Sequence, residues 1–180
     1  ILMTGLAMTR ERERGTFENL LATPATPFEV MTGKIVPYIL IGLIQVTLIL
    51  LAARWIFEVP MRGNLALLYG IVLLFICANL ILGITFSSIA RNQLQAMQMT
   101  FFFFLPSILL SGFMFPFRGM PEWAQVIGNA LPLTHFLVLV RGILLKGNGL
   151  DLLWGHIWPM VLFTVAVLAL GLKTFRKTLD

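Results

Sequence analysis

The sequence contains few charged residues: Asp, Glu, Lys and Arg make up only 12% of its 180 residues, against 58% hydrophobic residues. Its mean hydropathy is +0.91. Soluble domains carry about 25% charged residues, so this balance excludes a free globular protein, and the high hydrophobicity excludes a disordered chain. The single cysteine, Cys77, excludes an intramolecular disulfide scaffold. The composition is that of a protein embedded in a lipid bilayer.

The motifs of common hydrolases, metal sites and ATPases are also missing. His135, His156, Cys77 and the serines form no Gly-x-Ser-x-Gly elbow, no His-Glu-x-x-His pair and no metal-ligand spacing. Gly33-Lys34 lacks both the preceding glycine and the following hydroxyl of an ATP-binding loop. We therefore expect no catalytic residue, metal or cofactor in this chain, which is not an enzyme. The histidines are interpreted as hydrogen-bonded structural residues.

Long apolar runs fill most of the chain instead. A spanning helix needs about 20 mostly apolar residues, because each residue rises about 1.5 Å through about 30 Å of hydrocarbon. The stretches that meet this length without an acidic residue are Ile35–Phe57, Leu65–Phe86, Leu94–Phe115 and Leu152–Leu172. Ile1–Met8 is predicted to be the end of a further span, so we expect the C-terminal part of a longer chain. The predicted fold is an all-α polytopic transmembrane bundle; a buried soluble bundle is the less favoured alternative.

The first complete span has a recognisable start. Thr26-Pro27-Phe28-Glu29 has the pattern of a capping box, with proline at the first helical position, where its missing N–H is harmless. The helix is therefore predicted to begin near Pro27, before the apolar run starts. Its first ten residues are expected to lie along the interface, and Pro37 permits a bend as the helix enters the membrane.

Segment 113–149 is half apolar but is broken by proline residues. These are Pro116, Pro121 and Pro132. Two short helices are predicted there, at about Pro121–Ala130 and Leu133–Leu145, with Gly147 as the C-cap of the second. Asn129–Leu133 separates them.

These two helices are too short to span and are expected to enter the outer leaflet and return. They must then be buried against protein, so that the non-helical backbone does not face lipid. The candidate outer-gate residues are Pro121, Trp123, Pro132 and Arg141. A lid with a purely structural role is an equally open interpretation.

The distribution of basic residues predicts the orientation, because Lys and Arg are enriched on the cytoplasmic side. If the loop from Thr9 to Lys34 is cytoplasmic, eight basic residues lie on that side and five on the other. The eight are Arg10, Arg12, Arg14, Lys34, Arg91, Lys173, Arg176 and Lys177; the five are Arg54, Arg62, Arg118, Arg141 and Lys146. Residues 9–34, 87–93 and 173–180 are therefore predicted to be cytoplasmic, and 58–64 and 117–151 to lie on the other side.

The predicted spans hold no Asp, Glu or Lys, which argues against a transporter driven by an ion gradient. Their candidate polar residues are uncharged: Gln45, Asn79, Thr100 and Ser107. Such residues line a substrate path or hydrogen-bond one helix to the next, and the second use is the commoner. A pump built from this chain would take its energy from a partner.

The most unusual segment lies between Thr9 and Pro24. Residues 10–18 carry three Glu and three Arg, and Phe17, Leu20 and Leu21 then share one helical face. Such a helix anchors in lipid headgroups or docks in a groove of a cytoplasmic partner. The balanced charges favour the partner, since a lipid anchor would be biased to Lys and Arg.

This segment carries a resemblance to a known family. Glu11-Arg12-Glu13-Arg14-Gly15-Thr16-Phe17-Glu18, followed by Leu20-Leu21 and Thr23-Pro24, closely resembles a signature of permease subunits of ABC type-2 exporters, particularly the bacterial multidrug-efflux-like branch. Further similar features are Met120-Pro121-Glu122-Trp123, the break from Asn129 to Thr134, and the run from Arg141 to Gly147. The resemblance covers essentially all 180 residues.

The resemblance implies six spans, with the first span, most of the second and an extracytoplasmic domain absent from residues 1–180. It also implies a coupling helix that meets an ATP-binding subunit. Its residues would be Glu11, Arg12, Glu13, Gly15, Thr16, Phe17, Glu18, Leu20 and Leu21.

ATP and magnesium would be bound by the ATP-binding subunit, and a second permease copy or homologue would complete the translocation path. We expect a multi-pass protein of the bacterial inner membrane, with no nucleic-acid partner. A membrane assembly or scaffold subunit is the alternative.

Overall fold

The computed structural model describes residue 9 and residues 27–176, and six α-helices lie within the longer range. They are α1 Pro27–Trp55, α2 Leu65–Ile89, α3 Gln93–Leu110, α4 Glu122–Ala130, α5 Pro132–Lys146 and α6 Leu150–Arg176. A 3₁₀ turn, Phe117–Gly119, precedes α4. No strand occurs in this part of the chain, and α1, α2, α3 and α6 each contain an apolar stretch of 18 residues or more. The predicted all-α transmembrane bundle is confirmed.

Two asparagines fix the starts of the central helices. The Asn64 side-chain oxygen accepts from the backbone N–H of Ala66, at 2.8 Å, so it caps α2. The Asn92 side-chain oxygen caps α3 in the same way, accepting from Gln95 N–H at 2.8 Å. Each cap satisfies a donor that the first helical turn leaves unpaired. At α1, Pro27 is the first helical residue, as predicted, whereas the proposed cap Thr26 lies outside the described residues.

The third predicted span is shorter than expected. The apolar run was predicted to be helical to Phe115, but α3 ends at Leu110. Gly112 follows with a φ of +80°, a left-handed conformation that an α-helix cannot continue through. Hydropathy alone predicts a longer span, because residues 113–115 are apolar. The backbone turns at Gly112, before these residues.

Helix α2 is the centre of the bundle and contacts α1, α3, α5 and α6. Its two ends contribute to two separate hydrophobic cores. One core, around Ile81 and Ile84, also takes Val167 from α6. The other, around Leu68 and Val72, takes residues of α5 and α6. In the predicted orientation the first core lies in the cytoplasmic half of the membrane and the second in the outer half.

Helices α4 and α5 are bent by 81° at the break between them, so together they make a hairpin. With 9 and 15 residues they are about 14 and 23 Å long, too short to cross singly. Gly128, near the end of α4, lies against the carbonyl of Leu110 at the end of α3, while the far end of α5 lies against the loop before α2. The hairpin follows the end of α3 in the chain, and its far end lies against the loop before α2, at the same end of the antiparallel bundle. We infer from this that the hairpin enters and leaves the membrane on one side.

This geometry predicts which positions can be labelled from outside. Single cysteines at Gly119 and Gly149, in a Cys77→Ala background, should both react with a membrane-impermeant maleimide in intact cells. Both glycines have open space where a side chain would be added. A cysteine at the exposed Arg91 should react only after permeabilisation. Opposite labelling of Gly119→Cys and Gly149→Cys would show that the hairpin crosses, contradicting the re-entrant topology.

Candidate functional site

The predicted coupling residues, from Glu11 to Leu21, lie outside the described residues, so this assignment stays a prediction. The other predicted site residues fall into two groups within the described part of the chain. One group belongs to the outer hairpin formed by α4 and α5. The other consists of the polar residues within the spans.

Side chains of α5 hold the corner of the outer hairpin. Pro132 begins α5, so the break falls where a proline is tolerated. The Thr134 hydroxyl donates to the Gly128 carbonyl at 2.5 Å, and His135 Nε2 lies 2.8 Å from the Asn129 carbonyl oxygen. Both carbonyls belong to the last turn of α4, where the Gly128 carbonyl also accepts from the Leu131 N–H at 3.1 Å. The corner is therefore satisfied from within the hairpin.

A pair of histidines joins the outer hairpin to the last span. His135 Nδ1 lies 3.0 Å from His156 Nδ1 of α6. Because a carbonyl only accepts, His135 must donate to Asn129 from Nε2, and the Nδ1 of the neutral ring is then an acceptor. His156 consequently donates from Nδ1. The interpretation of both histidines as hydrogen-bonded structural residues is supported by these contacts.

Two glycines allow the hairpin backbone to approach its neighbours. A Cβ added at Gly128 would lie 2.5 Å from the Leu110 carbonyl oxygen, and one at Gly63 would overlap the Ile143 carbonyl oxygen. The second contact is accompanied by a hydrogen bond from Arg62 N–H to the Leu144 carbonyl, at 3.2 Å. Any side chain at these glycines would force the elements apart. The hairpin thus lies against α3 near its corner and against the α1–α2 loop at the end of α5.

The structure separates the four predicted outer-gate residues. Pro132 is buried at the hairpin corner. Pro121, Trp123 and Arg141 are exposed, with 65% of the Trp123 surface accessible. The hairpin surface that could meet a partner or close a path therefore consists of exposed residues around Trp123 and Arg141. Pro132 contributes only the shape of the corner.

The candidate polar residues within the spans also divide into two kinds. The hydroxyls of Thr100 and Ser107 are buried in α3 and donate to carbonyls four residues earlier, Ala96 at 2.9 Å and Phe103 at 2.6 Å. Each hydroxyl therefore bonds within its own helix, and the role of these two residues in a path or in helix packing stays a prediction. Gln45 and Asn79, in contrast, line the same groove between α1 and α2.

Two polar contacts between helices were not predicted from the sequence. Tyr69 of α2 lies 2.8 Å from the Thr47 hydroxyl of α1, and His135 pairs with His156. Each pair is more than 20 positions apart in the sequence, so no local spacing signals it. Polar residues at similar depths in antiparallel helices are the only signal that could have suggested them. Within the described ranges, no cluster of three metal-binding side chains exists.

Replacing the two histidines separately should show their unequal roles. His135→Phe removes both hydrogen bonds and leaves the Asn129 carbonyl unpaired, so it should lower the free energy of unfolding by about 1–3 kcal/mol. His156→Phe removes only the bond between the rings and should cost less. Thermal unfolding midpoints of both variants in lipid nanodiscs measure this. An equal or larger loss for His156→Phe would contradict the hydrogen-bond assignment.

Comparison with known proteins places this architecture in a family. Residues 1–145 match the ABC-2 type transporter family. The chain is 33% identical over 177 residues to the probable multidrug ABC transporter permease YbhR of Escherichia coli K12, covering 98% of this chain and 48% of YbhR. It is 36% identical over 178 residues to the probable multidrug ABC transporter permease YbhS of that strain, covering 98% and 46%. It is also 36% identical over 180 residues to the inner membrane transport permease YhhJ, covering 99% and 48%.

The chain thus spans about half the length of the curated relatives it matches, and the match runs through the segment before α1, all four spans and the outer hairpin. The residues that suggested the resemblance lie within the range that the family covers or just beyond it. The chain belongs to the ABC-2 type transporter family.

Proposed function

We propose that the chain is the membrane-spanning part of a permease subunit of an ATP-driven exporter in a bacterial inner membrane. The observation that carries this proposal is the match over almost the whole chain to proteins named as ABC transporter permeases. One of these relatives is named as an inner membrane protein. The four apolar helices are consistent with such a subunit.

The energy for export would come from a partner. The sequence holds no ATP-binding loop, and its predicted spans carry no Asp, Glu or Lys for ion coupling. We infer that a separate or fused ATP-binding subunit binds ATP and magnesium and moves the spans through the coupling segment, Glu11 to Leu21. The permease itself does no chemistry. A second permease copy or a homologue would complete the path.

The outer hairpin is proposed to close the outer end of that path. It lies in the outer half of the bundle in the predicted orientation, and its exposed face carries Trp123 and Arg141. Its packing against α2 and α6 would carry their movement to this face. The alternative is an assembly or scaffold subunit in which the hairpin is a static lid.

The coupling assignment predicts the effect of removing one aromatic side chain. In the full-length permease, Phe17→Ala should weaken association with the ATP-binding subunit by about thirtyfold, because a buried aromatic anchor contributes on the order of 2 kcal/mol. Glu13→Lys should reduce coupling more than stability, since rim charges mainly set orientation and rate. Phe115→Ala is a matched control, because this exposed phenylalanine lies on the predicted outer side.

Co-purification of the ATP-binding subunit, with ATP hydrolysis and export measured in the same vesicles, tests this prediction. A lipid anchor would instead leave association unchanged in Phe17→Ala, and the added positive charge of Glu13→Lys would strengthen membrane attachment. Normal association and coupling in both variants would refute the coupling-helix assignment.

Movement of the outer hairpin can be tested with a reversible crosslink. A Cβ added at Gly147 would lie 3.5 Å from the Cβ of Arg62, a separation that a disulfide can bridge. Arg62→Cys/Gly147→Cys in a Cys77→Ala background should therefore form a disulfide between α5 and the α1–α2 loop. If the hairpin is a gate, oxidation should abolish export while leaving ATPase association intact, and reduction should restore export.

The two single-cysteine variants, treated with the same oxidant, are the controls for this crosslink. Gly147 has a φ of +68°, so Gly147→Cys alone measures the backbone strain, about 1–2 kcal/mol. Full export by the crosslinked protein would identify the hairpin as a static lid.

A further inference from the structure

The contact between the rings of His135 and His156 connects the corner of the outer hairpin to α6. The two Nδ1 atoms are 3.0 Å apart, and the ring centroids are 5.3 Å apart with the ring planes tilted by 45°. His135 is buried, and His156 is partly buried. Each of these nitrogens is either a donor or an acceptor, so the contact depends on where the two rings carry their protons.

The second hydrogen bond of His135 fixes the proton positions of the neutral pair. Nε2 must donate to the Asn129 carbonyl, 2.8 Å away, because a carbonyl oxygen only accepts. Nδ1 of the same neutral ring then carries no proton and accepts from Nδ1 of His156. One hydrogen lies between the rings. A second one does not fit, because two N–H groups that point at each other across 3.0 Å would put their hydrogens in overlap.

The first and the second added proton therefore have different effects. A first proton can be bound at Nε2 of His156, which takes no part in the contact, and the bond between the rings then becomes charge-assisted. A second proton can be bound only at Nδ1 of His135, where it removes the acceptor. Two imidazolium rings in contact also repel each other. The doubly protonated pair cannot keep this contact, and the rings must separate.

Separation of the rings leaves the hairpin corner itself intact. A charged His135 still carries the hydrogen on Nε2 and can keep its bond to the Asn129 carbonyl. The Thr134 hydroxyl, which donates to the Gly128 carbonyl, does not titrate in this range. Of these three bonds, a second proton removes only the one to α6. The corner is thus released from the span without losing its own hydrogen bonds.

Few other groups near the two rings could respond to pH. The elements packed against α5 or α6 include α1, α2, α3 and α4. The other titratable side chains described on these six helices are Glu29, Tyr38 and Arg54 of α1, Tyr69 and Cys77 of α2, Glu122 of α4, Arg141 and Lys146 of α5, and Asp151 and Lys173 of α6, with none on α3. Neither histidine forms a hydrogen bond or ion pair with any of them.

Helix geometry separates the nearest of these groups along the chain from the contact. Asp151 precedes His156 by five residues, which places it about 140° away around α6. Arg141 follows His135 by six residues, about 120° away around α5. The pH response of the contact is therefore set by the two histidines.

Acid favours the separated rings. They can hold two protons, whereas the pair in contact holds one at most, so separation takes up one proton more. A histidine side chain ordinarily titrates near pH 6.5. Well above this pH both states carry the same number of protons, and the contact does not respond to pH. Well below it, the ratio of separated to contacting protein can rise by up to about tenfold per pH unit.

We propose that the contact between His135 and His156 is a pH-sensitive tie, which holds the hairpin corner to α6 at neutral pH and releases it when both rings are protonated. His156 is six residues from the start of α6, or about 9 Å along the helix. In the predicted orientation this is the outer end of the span, so the protons would come from the outer side. The tie would act in the same way whether or not the chain belongs to an exporter.

Distance measurements between two spin labels, in the full-length permease in lipid nanodiscs, test this proposal. Nitroxides are attached at Ala130→Cys, beside the corner, and at Gly155→Cys, beside His156, in a background without other cysteines. Ala130 is exposed, and Gly155 has open space where a side chain would be added. One short distance is expected at about pH 8. A longer one should appear at about pH 5, grow as the pH falls and disappear when the pH is raised again.

His156→Gln is the decisive variant. Its amide carries no charge, and it can donate to a neutral His135 or accept from a charged one. The label distance in this variant should therefore be the same at both pH values. Asp151→Asn is the matched control for other titrating groups, because Asp151 lies on another face of α6. It should keep the full response of the unsubstituted protein.

Two results would overturn the proposal. One is a label distance that stays the same from about pH 8 to about pH 5 in the protein with both histidines, since the contact would then survive where both rings titrate. The other is an undiminished response in His156→Gln, which would show that the movement arises elsewhere. His135→Gln, which removes the other ring, replaces this variant if His156→Gln does not fold.

Discussion

Hydrogen bonding of the backbone in a medium without water is the constraint on which the rest of this structure depends. The four long helices satisfy it along most of their length, apart from the positions of Pro37, Pro106 and Pro159, which have no N–H to donate. The same constraint acts on the small polar side chains: the hydroxyls of Thr85, Thr100, Ser107 and Thr164 all donate to carbonyls four residues earlier. These hydroxyls are thereby hydrogen-bonded within the helix that carries them. The bundle is held together mainly by apolar contacts between α2 and its neighbours.

The outer hairpin is where the constraint is met differently. Its backbone leaves the helical path at Leu131. The Gly128 carbonyl accepts from Leu131 N–H and from the Thr134 hydroxyl, and the Asn129 carbonyl is paired by His135. The corner contacts α6 through the His135–His156 pair. A broken helix can therefore persist beside the spans because α5 supplies the missing hydrogen bonds and buries Leu139 in the outer core of the bundle.

The sequence predicted those features that depend on length and on backbone chemistry. The number of spans, the hairpin and the C-cap at Gly147, with a φ of +68°, follow from apolar runs interrupted by proline and glycine. The predicted end of α3 was wrong, because the apolar run continues past Gly112, where the backbone turns. The histidine pair and the groove were missed as units because both need the rotation of one helix against another, which no single-helix pattern contains. The path role of Gln45 and Asn79 and the coupling segment stay predictions.

The two cores give the bundle unequal halves. In the outer half, α5 adds Leu139 and Ile143 to the packing of α2 and α6, and hydrogen bonds tie the hairpin to its neighbours. In the other half, the described core consists of residues of the spans, such as Ile35 of α1, Ile84 of α2 and Val167 of α6. Within the proposed function, force from an ATP-binding subunit would enter at the less tied half. Since α2 and α6 pack together over both cores, the pair would carry that displacement to the outer hairpin as a unit.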